Sequence, residues 1–149
     1  MKSILVLLTL FLSSYSFAQK DEELVRQSIV RFFDGMRLSD TSMIRSTFAP
    51  KAIMQTVNKN KAGEVMVGSE VLDSFIYFVA KPHSEIYDER ISFDIIRVDA
   101  DLAIAWTPYK FYIGDKFSHC GVNSFQLVRL NGSWKIQYII DTRRRKPCE

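Results

Sequence analysis

Two cysteines, two histidines, four prolines and six glycines in 149 residues already exclude several kinds of chemistry. His83 and His119 stand apart with no cysteine or carboxylate at ligand spacing, so the chain carries no metal signature. It has no Gly-rich phosphate loop and no Ser nucleophile motif, and no cofactor is expected. Lys and Arg outnumber Asp and Glu by 20 to 17, too small an excess to argue for nucleic acid. The one basic run, Arg143-Arg144-Arg145-Lys146, reads as a solvated tail.

Apolar residues make up 47% and aromatics 13%, which is ample for one core at this length. The first residues, MKSILVLLTLFLSSYSFAQ, hold a Lys, an apolar run from Ile4 to Leu12, and small residues at Ser16 and Ala18. This is the pattern of a signal peptide over 1–18, too short in its apolar part to span a bilayer. A single domain over 19–149 is then expected, exported to a periplasm or secreted, with no membrane contact after cleavage. In such an oxidising setting Cys120 and Cys148 can pair, tying the tail to the sheet. A buried free Cys120 and an unpaired Cys148 are the alternative, because spacing alone fixes no geometry.

Val25, Ile29, Phe32, Phe33 and Met36 recur at helical spacing within 21–38, with Asp21, Glu22 and Glu23 placed in the first turn. Ser39-Asp40-Thr41 offers an N-cap for a second, short helix that Pro50 ends. Strands follow at 52–57 and 64–67, then a third helix capped by Ser69 and stopped at Lys81-Pro82. From Glu85 the pattern has period two, read as four long strands. Segregated helices and strands predict an α+β domain, with helices on one face of an antiparallel sheet.

Gly114-Asp115 and Asn131-Gly132 are hairpin dipeptides, and two-residue loops there predict the pairing. Lys110 would meet His119, Trp106 would meet Asn123, and Phe125 would meet Tyr138. A turn at Asp99-Ala100 would place Ile95 against Ile104. One face then collects Ile91, Phe93, Ile95, Leu102, Ile104, Trp106, Phe125, Leu127, Trp134, Ile136, Tyr138 and Ile140, with Lys110, His119 and Asn123 clustered at one end. Apolar walls with a few convergent polar groups describe a small-molecule pocket; a hydrogen-bonded trio at the rim of a core is the competing account. The opposite face would carry Ala103, Ala105, Tyr109, Phe111, Val122, Val128 and Ile139. So apolar a face predicts a homodimer around Tyr109 and Val128.

The element order resembles the nuclear transport factor 2-like superfamily, a cone of helices and curved sheet around a pocket. Phe48-Ala49-Pro50-Lys51-Ala52, Gly68-Ser69-Glu70 and Gly132-Ser133-Trp134-Lys135-Ile136 carry that resemblance. Ala105-Trp106-Thr107-Pro108-Tyr109 with Phe117-Ser118-His119-Cys120-Gly121 is similar to the putative lumazine-binding group, and the scaffold also resembles SnoaL-like cyclases, dehydratases and ketosteroid isomerases. Where ketosteroid isomerases have an Asp base this chain has Thr56, and where they have an oxyanion-hole Tyr it has Phe32. Neither can do that work, so the resemblance implies no steroid-type isomerisation.

Three functions follow as expectations. In the first, the domain holds a small ligand with Phe32, Gln55, Trp106, Lys110, Tyr112, His119, Asn123 and Tyr138. In the second, His119 is the acid/base of a dehydratase, cyclase or isomerase-type enzyme, which needs an oriented carboxylate behind it. In the third, the cone is filled by its own side chains and serves interaction alone.

Overall fold

The computed structural model describes residues 2–145 and 148, with side chains described from residue 19 onward. The leader expected at 1–18, with its cleavage site at Ser16 and Ala18, lies outside the described side chains, as does Lys146 of the basic run. The element order is α1 (Lys2–Arg37), α2 (Thr41–Thr47), β1 (Phe48–Lys59), β2 (Val65–Glu70), α3 (Leu72–Ala80), β3 (Tyr87–Ile91), β4 (Ile95–Asp99), β5 (Leu102–Ile113), β6 (Lys116–Leu130) and β7 (Ser133–Thr142). Among the described residues no helix is long and apolar enough to cross a membrane.

The helical stripe read from the sequence is the one that packs: Val25, Ile29, Phe32, Phe33 and Met36 are all buried. The helix begins upstream of Asp21, however, so the acidic triplet is not in its first turn. Asp21 instead accepts from Arg129 Nη2 at 2.7 Å, bridging the helix to β6. Asp40 caps α2 through Met43 N–H at 2.8 Å. Pro50 lies inside β1 rather than ending α2, which stops at Thr47. Ser69 is likewise a strand residue; the cap position of α3 is Val71, which makes no side-chain cap bond.

The sheet runs β2-β1-β7-β6-β5-β3, with β4 also pairing β5. All pairs are antiparallel except β1 with β7, so the sheet is mixed. The first of the four expected long strands is two short ones, β3 and β4, separated at 92–94. The result is an α+β cone, with three helices against one face of a curved sheet.

Both hairpins start as expected, with Tyr112 opposite Phe117 and Leu130 opposite Ser133. Each then gains one residue. A bulge at Ser118 puts His119 opposite Phe111 and Asn123 opposite Thr107, and another at Gln137 puts Phe125 opposite Ile139. One extra residue in a period-two strand exchanges its faces. The expected inner face is therefore corrected along most of β5, along β4 and at the end of β7. Ala103, Ala105 and Tyr109 are 1–3% exposed and face the helices, while Leu102, Ile104 and Trp106 are 45–49% exposed on the outside. Tyr138 and Ile140 move outward with them, paired to Gln126 and Ser124. The β4–β5 turn falls one residue later than expected, at Ala100-Asp101, which moves the partner of Ile95 by two, to Trp106, and Ile95 is exposed on the outer side. Phe125, Leu127, Trp134 and Ile136 are buried as expected, and Ile91 and Phe93 pack at the margin of that core.

Candidate functional site

Registered partners share a face, so the ladders show which side chains meet inside the cone. Glu89 pairs with Phe111, Phe111 with His119, Tyr109 with Gly121, Thr107 with Asn123, Asn123 with Asp141, and Asp141 with Thr56. Polar residues from five strands thus converge on the inner surface. Thr107 is 0% exposed and Asn123 3%, whereas Thr56, Glu89 and His119 are half-buried toward the mouth.

Asp141 is the hub of one half. It accepts from Thr56 Oγ1 at 2.5 Å, from Tyr109 OH at 2.9 Å and from Arg143 Nε at 3.1 Å. Tyr109 OH also lies 3.0 Å from the carbonyl of Thr142, and its single proton is divided between two acceptors. Burial, then the Asp141 charge, pushes the Tyr109 phenol far above its ordinary range, so it serves as a neutral donor. Burial works against the Arg143 charge, but the Asp141 carboxylate outweighs it and raises the guanidinium further.

Glu89 is the hub of the other half. Asn123 Nδ2 donates to its Oε1 at 2.8 Å, and no donor among the described residues reaches Oε2. Burial above all, with the Asp141 charge adding to it, pushes this carboxyl up to about 7 against the Asn123 bond. The hydroxyl of Thr107, the ladder partner of Asn123, is buried with no hydrogen-bond partner. An unfilled buried polar group of this kind costs on the order of 1 to 3 kcal/mol, and a complementary ligand atom recovers it.

His119 is on the inner face as expected. Its ring lies 4.9 Å from Phe111 and 5.8 Å from Tyr109, and its Nδ1 is 3.0 Å from Ser118 Oγ. Burial first, then the Arg143 charge, lowers its pKa, which leaves the imidazole neutral near pH 7. No carboxylate among the described residues hydrogen-bonds to it, since Asp141 is engaged by Thr56, Tyr109 and Arg143.

The other residues expected at the site scatter. Phe32 is in the core, packed on Phe33, Phe48 and Phe75. Trp106 and Lys110 are exposed on the outer face, carried there by the Ser118 bulge. Tyr112, also outside, lies under the guanidinium of Arg90 at 4.2 Å. Tyr138 and Gln55 bond to each other on the outer side at 2.6 Å, and Gln55 reaches Ser69 at 3.1 Å. Of the eight, only His119 and Asn123 join the inner cluster. Sequence reasoning missed Glu89, although its phase was visible: it alternates with Tyr87 and Ile91, a charge on an apolar stripe. Cys120 and Cys148 are bridged, with Cα atoms 6.1 Å apart. Among the described residues no group of three His, Cys, Asp or Glu side chains could hold a metal ion.

Two clefts lie elsewhere. One of about 510 Å³ runs between 48–54 and 69–73, beside Arg45. The other, about 280 Å³, is lined by Leu24, Gln27, Ser28 and Arg31 of α1 with Ser46, Thr47 and 132–135. Neither includes a residue of the inner cluster.

Helices closing one side of a curved mixed sheet, with polar groups converging inside, define a nuclear transport factor 2-like domain. The chain belongs to the family described as putative lumazine-binding, whose model matches residues 20–138. No curated protein matches it. Solved structures that it resembles include a nuclear transport factor 2-like protein of unknown function from Silicibacter pomeroyi, 17% identical with a TM-score of 0.64, covering 85% of this chain and 98% of that one. Another, described as a putative dehydratase of the same fold family from Streptomyces avermitilis, is 15% identical with a TM-score of 0.63, covering 87% and 99%. A third, of unknown function from Shewanella baltica, is 10% identical with a TM-score of 0.62, covering 85% and 96%. At these identities the likeness is one of fold.

Proposed function

We propose that this is an exported, non-catalytic domain that binds a small planar molecule inside the cone, against Tyr87, Phe111 and His119, with Glu89, Asn123 and Thr107 as its polar contacts. The observation that carries this reading is the state of the inner face at the mouth. Tyr87, Glu89, Phe111 and His119 are all half-buried there, whereas a cone filled by its own side chains would seal them as it seals Phe125 and Leu127. The family description and the dehydratase-like relative both point to small molecules. An acid/base role for His119 has less support, because Asp141 turns its oxygens to other donors.

The domain pairs with a second copy through its outer face. That face exposes Ile53, Ile95, Leu102, Ile104 and Trp106, each 45–51% accessible, on neighbouring parts of one sheet. Val128 belongs to this surface, opposite Leu102; Tyr109, expected there, faces inward. The test of the binding reading is mass spectrometry of small molecules extracted from protein purified from its native compartment. A reproducible species released on unfolding supports it; the same measurement finding none, with every offered planar compound failing to bind, overturns it.

A further inference from the structure

Resting on that reading of the cone as a binding site, we infer that the ligand is a planar nitrogen base held as a cation, its N–H groups donated to Glu89 and Asn123. Glu89 spends Oε1 on Asn123 Nδ2, at 2.8 Å, and its Oε2 has no partner among the described residues. Asn123, 3% exposed, uses its amide nitrogen in that bond and leaves its carbonyl oxygen unbonded. Both vacancies are acceptors, so the complementary ligand edge carries donors. Thr107, wholly buried, faces the same spot as the ladder partner of Asn123, and its hydroxyl has no partner.

Charge follows from what surrounds the carboxyl. Arg143, whose charge reaches Glu89 from a half-exposed side chain, is committed to Asp141 at 3.1 Å, and Arg37 on α1 is committed to Asp34 and Asp88 at 2.7 and 2.8 Å. Asp88 and Arg90, adjacent on β3, bond to each other at 2.7 Å. Tyr109 and His119, from β5 and β6, are neutral. Glu89 therefore has no cation of its own beside Phe111, a ring whose face favours positive charge; Tyr87, 6.1 Å from Phe111, closes the wall behind it, stacked on His83 and Phe78. A planar cation fills that vacancy, forms charge-assisted bonds to the carboxylate, and displaces the proton that burial holds there.

The test uses three probes of one shape and different charge: benzamidine as the cation, benzamide as the neutral compound and benzoate as the anion. They are titrated into the isotopically labelled disulfide-bonded protein between pH 6 and 8 while amide signals are followed. Benzamidine should bind about 10- to 100-fold more tightly than benzamide at pH 8, with benzoate weakest and the shifts confined to β3, β5 and β6. Its affinity should fall by up to about tenfold per pH unit below 7, as binding has to displace the Glu89 proton. Glu89→Gln should remove most of that preference and the pH slope. Tighter binding of benzamide or benzoate, or an unchanged slope in Glu89→Gln, overturns the charge assignment and leaves the cone as a binding site. Failure of all three probes to move any inner-face signal overturns both.

Discussion

Replacing Glu89 by Gln should make the protein more stable, and by an amount that depends on pH. Gln keeps the oxygen that accepts from Asn123 and removes only the charge. In the folded protein the carboxyl is raised from 4.5 to about 7, chiefly by burial. Below about pH 4.5 both folded and unfolded wild-type chains hold the proton, and the group contributes no penalty. As pH rises toward 7 the unfolded chain has released it and the folded chain has not, so wild-type stability falls through that window and levels off above it. At about 1.4 kcal/mol per pH unit, the ceiling is about 3.4 kcal/mol. The side chain is half-buried at the mouth, and solvent reduces the expected gain to about 1 to 2 kcal/mol at pH 8. Urea unfolding of both proteins at pH 4.5, 6, 7 and 8 measures the difference directly, because every other titrating group cancels. A difference that is constant across pH, or largest in acid, would refute the account of Glu89 given above.

Other perturbations have equally definite outcomes. Gly121→Ala should cost at least about 3 kcal/mol, seen as a loss of thermal stability, because the added carbon would lie 1.7 Å from the Thr142 carbonyl oxygen and 2.9 Å from the Tyr109 ring. Cys148→Ser should lower stability by roughly 2 to 4 kcal/mol by freeing the tail, and reductant should do the same to the wild type but not to the variant. Asp88→Asn should destabilise at pH 7 and cease to matter in acid: burial resists ionisation of Asp88, but bonds from Arg90 and Arg37 overcome it and hold the carboxyl below its ordinary range, so its contribution is lost as pH falls through that lowered value. Trp106→Glu should leave the fold intact and shift sedimentation from dimer to monomer; a wild type that sediments as a monomer at micromolar concentration would remove the outer-face contact from consideration.

The order of elements and the helical stripe of α1 were legible because both are local signals. The stripe is a matter of 3.6-residue spacing, and Asn131-Gly132 announces its own turn with positive φ at both positions. The faces of the sheet were not legible past the bulges. Ser118 and Gln137 have no feature that marks them as extra residues, and each reverses the assignment of everything beyond it. His119 and Asn123 kept their places because they follow the Ser118 bulge on the same strand as Phe125 and Leu127, which are inward by hydrophobicity alone. Lys110 and Trp106, counted from the other side of the hairpin, did not. Asp141 pointed correctly away from the face that carries Tyr138, yet beyond the second bulge it is Tyr138 that lies outside. Glu89 could have been found from alternation, but its pKa is raised by burial in the folded cone, with the charge of Asp141, distant in sequence, adding to it.

Gly121 bears on how chains of this fold are compared. At that point the inner surface between His119 and Asn123 is made of main chain, since the Thr142 carbonyl passes where a side chain would be and accepts from Tyr109. The C-terminal segment can take this path, on to its bridge with Cys120, only over a residue that has no side chain. A related chain with a larger residue there must route its last strand differently, and in it a tyrosine matching Tyr109 would have lost one of its two acceptors. Glycine at this one position therefore marks the chains whose tails can be superimposed on this one, independently of how many other residues they share.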